Sequence, residues 1–190
     1  MELFFDTETS DMYKFNKPHD DPSQPWIVQL GFILSTRDAI YQEGNFLIRA
    51  DGRKIEPGAE AIHCISSEIS EEIGMDEKLV LELFANLILL SDTLIAHNIQ
   101  FDAKVLLASV SDRYDEALLN RLKNRKGQFC TMLAGTNICK LPGRFGKYKW
   151  PKLQELHIHL FGEEFIDAHD ALADVRATRR CYYEMTKLPE

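Results

Sequence analysis

Two rhythms of apolar and polar positions alternate along the chain, one of period two and one of period 3.6. Met-Glu-Leu and the following FFDTETS, residues 4–10, read as a strand. WIVQLGFILST and AIYQEGNFLIR are rich in apolar and β-branched residues, and the short Thr36-Arg37-Asp38 turn between them predicts an antiparallel pair. TLIAHN and QFCTM add two short strands. The helical rhythm is clearest after Asp76, where Leu79, Val80, Leu83, Phe84, Leu87 and Leu90 recur on one face. FDAKVLLASV and YDEALLNRLKN continue in kind, and a last helix runs from about Ala171 to Lys187. Ser66 or Ser67 caps a short helix that Gly74 ends, and Pro151 is expected in the first turn of KLQELHIHLFG. Residues 11–25, with three prolines, and the segment DGRKIEPGAEA read as loops. With no repeat or linker in this order, residues 1–190 are expected to form a single α/β domain.

Four carboxylates interrupt the apolar pattern. On a strand, Asp6 and Glu8 share one face about 7 Å apart, with Phe5 and Thr7 on the other. Asp102 lies on the helical stripe of Val105, Leu106 and Ser109. Asp174 lies on the stripe of Ala171, Thr178, Cys181 and Met185, while Arg176, Arg179 and Arg180 face elsewhere. Burying unpaired carboxylates costs several kcal/mol each unless cations or protons balance them. One such residue is readily a cap or half of an ion pair, but four in an otherwise neat pattern call for a shared countercharge. Oxygen-only ligands suit Mg²⁺ or Mn²⁺ rather than zinc. His169 stands five residues before Asp174, and two helical residues at that spacing lie about 140° apart. If Asp170 caps the helix instead, His169 belongs to the incoming chain and can fold back over the acids.

Charge sharpens this picture. The net charge is -8, yet residues 121–152 hold nine Lys or Arg and no acid, leaving -17 on the rest. Phe129, Phe145, Tyr148 and Trp150 are interleaved with these cations, a pattern that fits a polyanionic strand with bases to stack. RFGKYKWPK, within this stretch, reads as a strip that tracks phosphates. Cys64, Cys130, Cys139 and Cys181 form no CxxC and read as reduced thiols. No signal peptide or membrane-length apolar run is present, so a cytoplasmic protein without a membrane partner is expected. His157 and His159 lie about 200° apart on their helix and cannot share a metal, and His19 reads as part of a solvated loop.

FDTETS, AHNIQFD and AHDALADVRAT resemble the three motifs of the DEDDh, or DnaQ-like, 3'→5' exonucleases, in order across residues 6–174. His169 matches the family's h-type histidine. The resemblance implies an RNase H-like fold with a mixed five-stranded sheet flanked by helices. It implies two divalent cations, Mg²⁺ or Mn²⁺, held by Asp6, Glu8, Asp102 and Asp174, with Asp6 bridging the two ions and Asp102 acting through water. His169 would be the general base. The substrate would be nucleic acid with a free 3' end, single-stranded DNA in preference, cut to nucleoside 5'-monophosphates in proofreading or repair. Thr9, His63, Ile65, His97, Asn98 and Phe101 are the expected substrate-binding residues, although the family's glycine within H-x-I is Cys64 here. A DNA polymerase is a further candidate partner, through the surface, because only sixteen residues follow Asp174. The alternatives are an RNA-trimming enzyme, an endonuclease of the wider RNase H-like group, and a non-catalytic nucleic-acid-binding or polymerase-accessory module.

Overall fold

The computed structural model describes residues 1–111, 116–123 and 127–187. Five strands form one mixed sheet in the order β3-β2-β1-β4-β5. They are β1 (Glu2–Thr9), β2 (Ile27–Ser35), β3 (Ile40–Leu47), β4 (Thr93–Ala96) and β5 (Gly127–Cys130). β2 is antiparallel to β1 and β3, whereas β4 runs parallel to β1 and β5. Residues 36–39, one more than the expected turn, join β2 to β3 as an antiparallel pair, closed by Thr36 N donating to Ala39 O at 2.9 Å. β2 is buried at every position, which explains its almost unbroken apolar run. β3 is largely exposed, as befits an edge strand.

The helices are α1 (Pro57–His63), α2 (Ser67–Ile73), α3 (Glu77–Leu90), α4 (Ile99–Ser111), α5 (Glu116–Lys123), α6 (Thr131–Cys139), α7 (Leu153–Phe161) and α8 (Ala171–Met185). Their starts follow local chemistry. Ser66 Oγ accepts from Ile69 N and Asp76 Oδ1 from Leu79 N, so each caps its helix. Gly74 closes α2 as expected.

Three expectations change. Part of the segment read as a loop is α1, started by Pro57 in its first turn. QFCTM does not remain strand: β5 stops at Cys130, and Thr131 begins α6, an element the sequence pattern had not announced. Lys152, not Pro151, borders α7, and Glu155 Oε2 accepts from Lys152 N at 2.8 Å, so Pro151 stays in the approach to the helix.

The faces of β1 divide the core. Leu3 and Phe5 join the large cluster with β2 and α3, with Phe5 against the ring of Phe84 at 5.3 Å. Phe4 faces α8, packing with Val175 and edge-on to Tyr182 at 5.4 Å. Helices therefore cover both faces of β1, and its polar C-terminal residues emerge between them.

Candidate active site

The site lies where β1 outruns its parallel neighbour. Pairing to β4 ends at Phe4 and Ile95, while pairing to β2 continues to Thr9. Asp6 and Glu8 thus stand on the face that Phe4 presents to α8, beyond the end of β4. Gly31 is directly opposite Asp6 on β2. A Cβ there would lie 2.5 Å from the carbonyl carbon of Ala171 and 2.7 Å from Leu172 N. The absence of a side chain at Gly31 is what lets the first turn of α8 rest on the sheet beside Asp6.

Asp170 anchors that turn as its N-cap, with Oδ1 accepting from Ala173 N at 3.0 Å. Oδ2 accepts from Gln29 Nε2 at 3.0 Å and from Asn45 Nδ2 at 2.9 Å, while Gln29 Oε1 accepts from Ala171 N. Both Asp170 oxygens are therefore occupied by neutral donors. His169 falls in the incoming chain with a left-handed φ of 73°, and its backbone N donates to Asp174 Oδ1 at 3.4 Å. One ligand atom each of Glu8, His169 and Asp174 lie within 4.8 Å of one another.

Asp102 arrives from the opposite face of the sheet. It is 2% exposed on the buried stripe of α4 with Val105, Leu106 and Ser109. Its Oδ1 accepts from Thr7 N at 3.1 Å and Thr7 Oγ1 at 2.8 Å. Asp6, Glu8, Asp102, His169 and Asp174 together line one cleft of about 560 Å³.

The acids of this cluster raise one another's pKa values. Burial raises Asp6 well above the ordinary carboxylate range, and the charges of Asp102, Asp174, Glu8 and Asp170 push the same way. Glu8 is raised to about 8 by burial and by the neighbouring acids. Burial lifts Asp102 to about 7 against the opposing hydrogen bonds from Thr7, and Asp174 to about 6. No Lys or Arg among the described residues offsets these shifts. Carboxylate oxygens in this number, beside one imidazole, fit hard divalent cations.

The expected substrate residues divide. Phe101 lines this cleft and a second one of about 630 Å³, which shares Thr7 and Glu8 and is walled by Met12, Ala59 and Ile62. Thr9 and His63 line the second cleft. His63 Nδ1 accepts from Ile65 N at 3.1 Å, so its Nε2–H donates to Thr9 O at 3.3 Å. Burial holds its pKa below the usual value, in keeping with a neutral ring. Ile65 lines neither cleft but packs in the main core. His97 lines the acid cleft, yet both ring nitrogens are engaged. A carbonyl can only accept, so Nε2–H donates to Pro151 O at 3.0 Å and Nδ1 accepts from Thr131 Oγ1 at 3.0 Å. Burial pushes this ring down to about 4. His97 therefore ties the end of β4 to the approach of α7, with both ring nitrogens engaged. Asn98 lines the cleft with a left-handed φ of 71°, a conformation that asparagine tolerates.

Gln29 and Asn45 were absent from the residues expected at the site. Gln29 had left a trace, as a polar residue in the apolar run of β2. Asn45 had none, since a polar residue on an exposed edge strand is ordinary.

A mixed five-stranded sheet flanked by helices, in this strand order, is an RNase H-like fold. The solved structures of that shape similar to this chain include E. coli exonuclease I in complex with a dT13 oligonucleotide, with a TM-score of 0.72 at 21% identity. They also include the zinc-bound form of the E. coli exonuclease I–single-stranded DNA complex, with a TM-score of 0.70 at 21% identity. Each match covers 98% of this chain and 40% of that one, so the chain spans about 40% of the length of exonuclease I. Exonuclease X in complex with 5' overhanging duplex DNA matches with a TM-score of 0.62 at 20% identity, over 98% of this chain and 92% of that one. No protein-family model and no curated protein sequence matches the chain.

Proposed function

We propose that this chain is a single-domain, metal-dependent 3'→5' exonuclease of the DEDDh type, releasing nucleoside 5'-monophosphates from single-stranded DNA in preference. The observation that carries the reading is the convergence of four acids with raised pKa values and His169 in one cleft. Likeness of fold to exonucleases I and X supports it.

Asp6, Glu8, Asp102 and Asp174 would hold two divalent cations, which when bound neutralise the acids and stabilise the attacking and leaving oxygens of an in-line displacement. Thr7 fixes one oxygen of Asp102 and leaves the other to the site. Asp170, with three donors on its oxygens, acts as the clamp that aims Asp174 and His169. His169, exposed at the cleft, takes a proton from the attacking water and passes it to solvent. The water oxygen forms the new bond to phosphorus as the bond to the 3'-oxygen breaks, and that oxygen takes a proton from solvent, giving a free nucleoside 5'-monophosphate and a 3'-hydroxyl on the shortened strand. Phe101, with the apolar wall of Met12, Ala59 and Ile62, suits the base of the terminal nucleotide.

The test compares the parent with Asp6→Ala on 5'-labelled linear and internally labelled circular single strands of DNA and RNA, in Mg²⁺ or Mn²⁺. The parent should shorten linear strands one nucleotide at a time and spare circles, and the variant should be inert. Equal degradation by both proteins would exclude this site. Cutting of circles would point to an endonuclease, and binding without turnover by the parent to a module that only holds nucleic acid.

A further inference from the structure

The segment between α6 and α7 is built as an ordered hairpin whose tip stands clear of the core, while Leu141 and the buried Pro151 hold its two ends against α6, α7 and α8. Lys149 N donates to Leu141 O at 3.0 Å, Gly143 N to Lys147 O at 2.9 Å and Lys147 N to Arg144 O at 3.2 Å, and Pro142 bridges Tyr148. Its base is fastened by His97 to Pro151 O and by the Lys149–Glu155 ion pair. Phe145, at the tip, is 98% exposed in a left-handed conformation, and Trp150, at the base, is 63% exposed. Neither they nor the exposed Tyr148 belongs to a hydrophobic cluster. Lys140, Arg144, Lys147 and Lys152 make no ion pair among the described residues. Arg125 and Lys126, part of the same basic stretch, lie outside the described residues.

We propose that this hairpin is a track for the single strand upstream of the scissile phosphate, an inference that rests on the exonuclease reading of the adjoining cleft. Trp150 and Lys152 line the acid cleft, so the strip begins at the site itself and leads away from it to Phe145. A chain of phosphates with unstacked bases is the ligand whose chemistry matches cations alternating with free aromatic faces. The three aspartates and one glutamate gathered in the cleft offer a polyanion no attraction, and the track supplies the positive charge. A duplex hides its base faces and would gain only the charge contribution.

The experiment measures binding of labelled oligonucleotides by fluorescence anisotropy in chelator, where no metal-dependent turnover occurs. Probes are dT and rU strands of about three and about twelve nucleotides and a blunt duplex of about twelve. The protein should prefer the long strands to the short ones and to the duplex, and the dT and rU arms reveal which sugar it favours. Phe145→Ala should weaken long-strand binding about tenfold with an unchanged melting temperature, since the side chain touches nothing in the fold. Arg144→Glu/Lys147→Glu should lower the slope of log affinity against log salt by at least about 1.4, from about 0.7 per phosphate contact. Long-strand affinity unchanged in both variants, or equal losses on long and short strands, would overturn the track. Hydrolysis by the parent is scored separately in Mn²⁺, so an inactive parent that still shows the length preference would reject the exonuclease reading and not the track.

Discussion

Asp102→Asn is the sharpest probe of the electrostatic cluster, because it removes one charge and almost no volume. The amide oxygen can still accept from Thr7 N and Oγ1, so the local fold has no reason to open. Folding raises this carboxyl from its ordinary 3.8 to about 7. The folded state therefore keeps a proton that the unfolded chain gives up between about pH 4 and pH 7, and stability falls as pH rises through that window. Above about pH 7 the penalty is fully developed, at about 1.4 kcal/mol for each tenfold change in acidity, or on the order of 2–4 kcal/mol. Asparagine escapes it. In chelator at pH 8 the variant should melt about 5–10 °C higher than the parent, and at pH 5 the gap should shrink by more than half. Mn²⁺ should then stabilise the parent more than the variant at pH 8, while nucleotide release by the variant falls about 10–100-fold. Melting in chelator at both pH values is the decisive assay. A variant less stable than the parent at pH 8, or a gap that ignores pH, would refute the claim that these acids are held together at a cost.

Other consequences follow from the backbone. Cys64 ends α1 at φ 60°, where an L-residue is strained by about 1–2 kcal/mol, so Cys64→Gly should raise stability by about 0.5–1.5 kcal/mol in urea titration despite glycine's greater unfolded-state entropy. A loss of stability would show that the thiol is needed there. Gly31→Ala places a methyl group against the backbone of Ala171, and no side chain can yield, so it should destabilise by about 1–3 kcal/mol or more. Nucleotide release per folded molecule should fall about 100-fold as Asp174 and His169 shift, and full activity would contradict the contact.

Much of this molecule was legible in the residues. The strands, the Asp76 cap and the four misplaced acids could be read from spacing because each depends on neighbours a few positions away. His169 could be placed off the helix because Asp170 is a strong capping residue. Failures occurred where local signals were weak or ambiguous. Thr131 and Met132 suit a strand as well as a helix, and short α1 carries no long periodic pattern. Spacing along the chain also did not announce that His63 and His97 reach across to Thr9 O and Pro151 O, or that Ile65 packs in the core. Asn45 became legible only when β3 was brought beside the start of α8.

Sequence by itself determined the inventory: which acids interrupt the apolar pattern, which histidine stands near them, and which stretch is basic. Tertiary structure alone decided that Asp102 approaches from one face of the sheet and Asp174 from the other, meeting past the point where β4 ends. Pattern is a property of neighbours along the chain, whereas the energy of gathered charges depends on distances across it. Those distances are set by the register of β1 on β2 and by the missing side chain of Gly31.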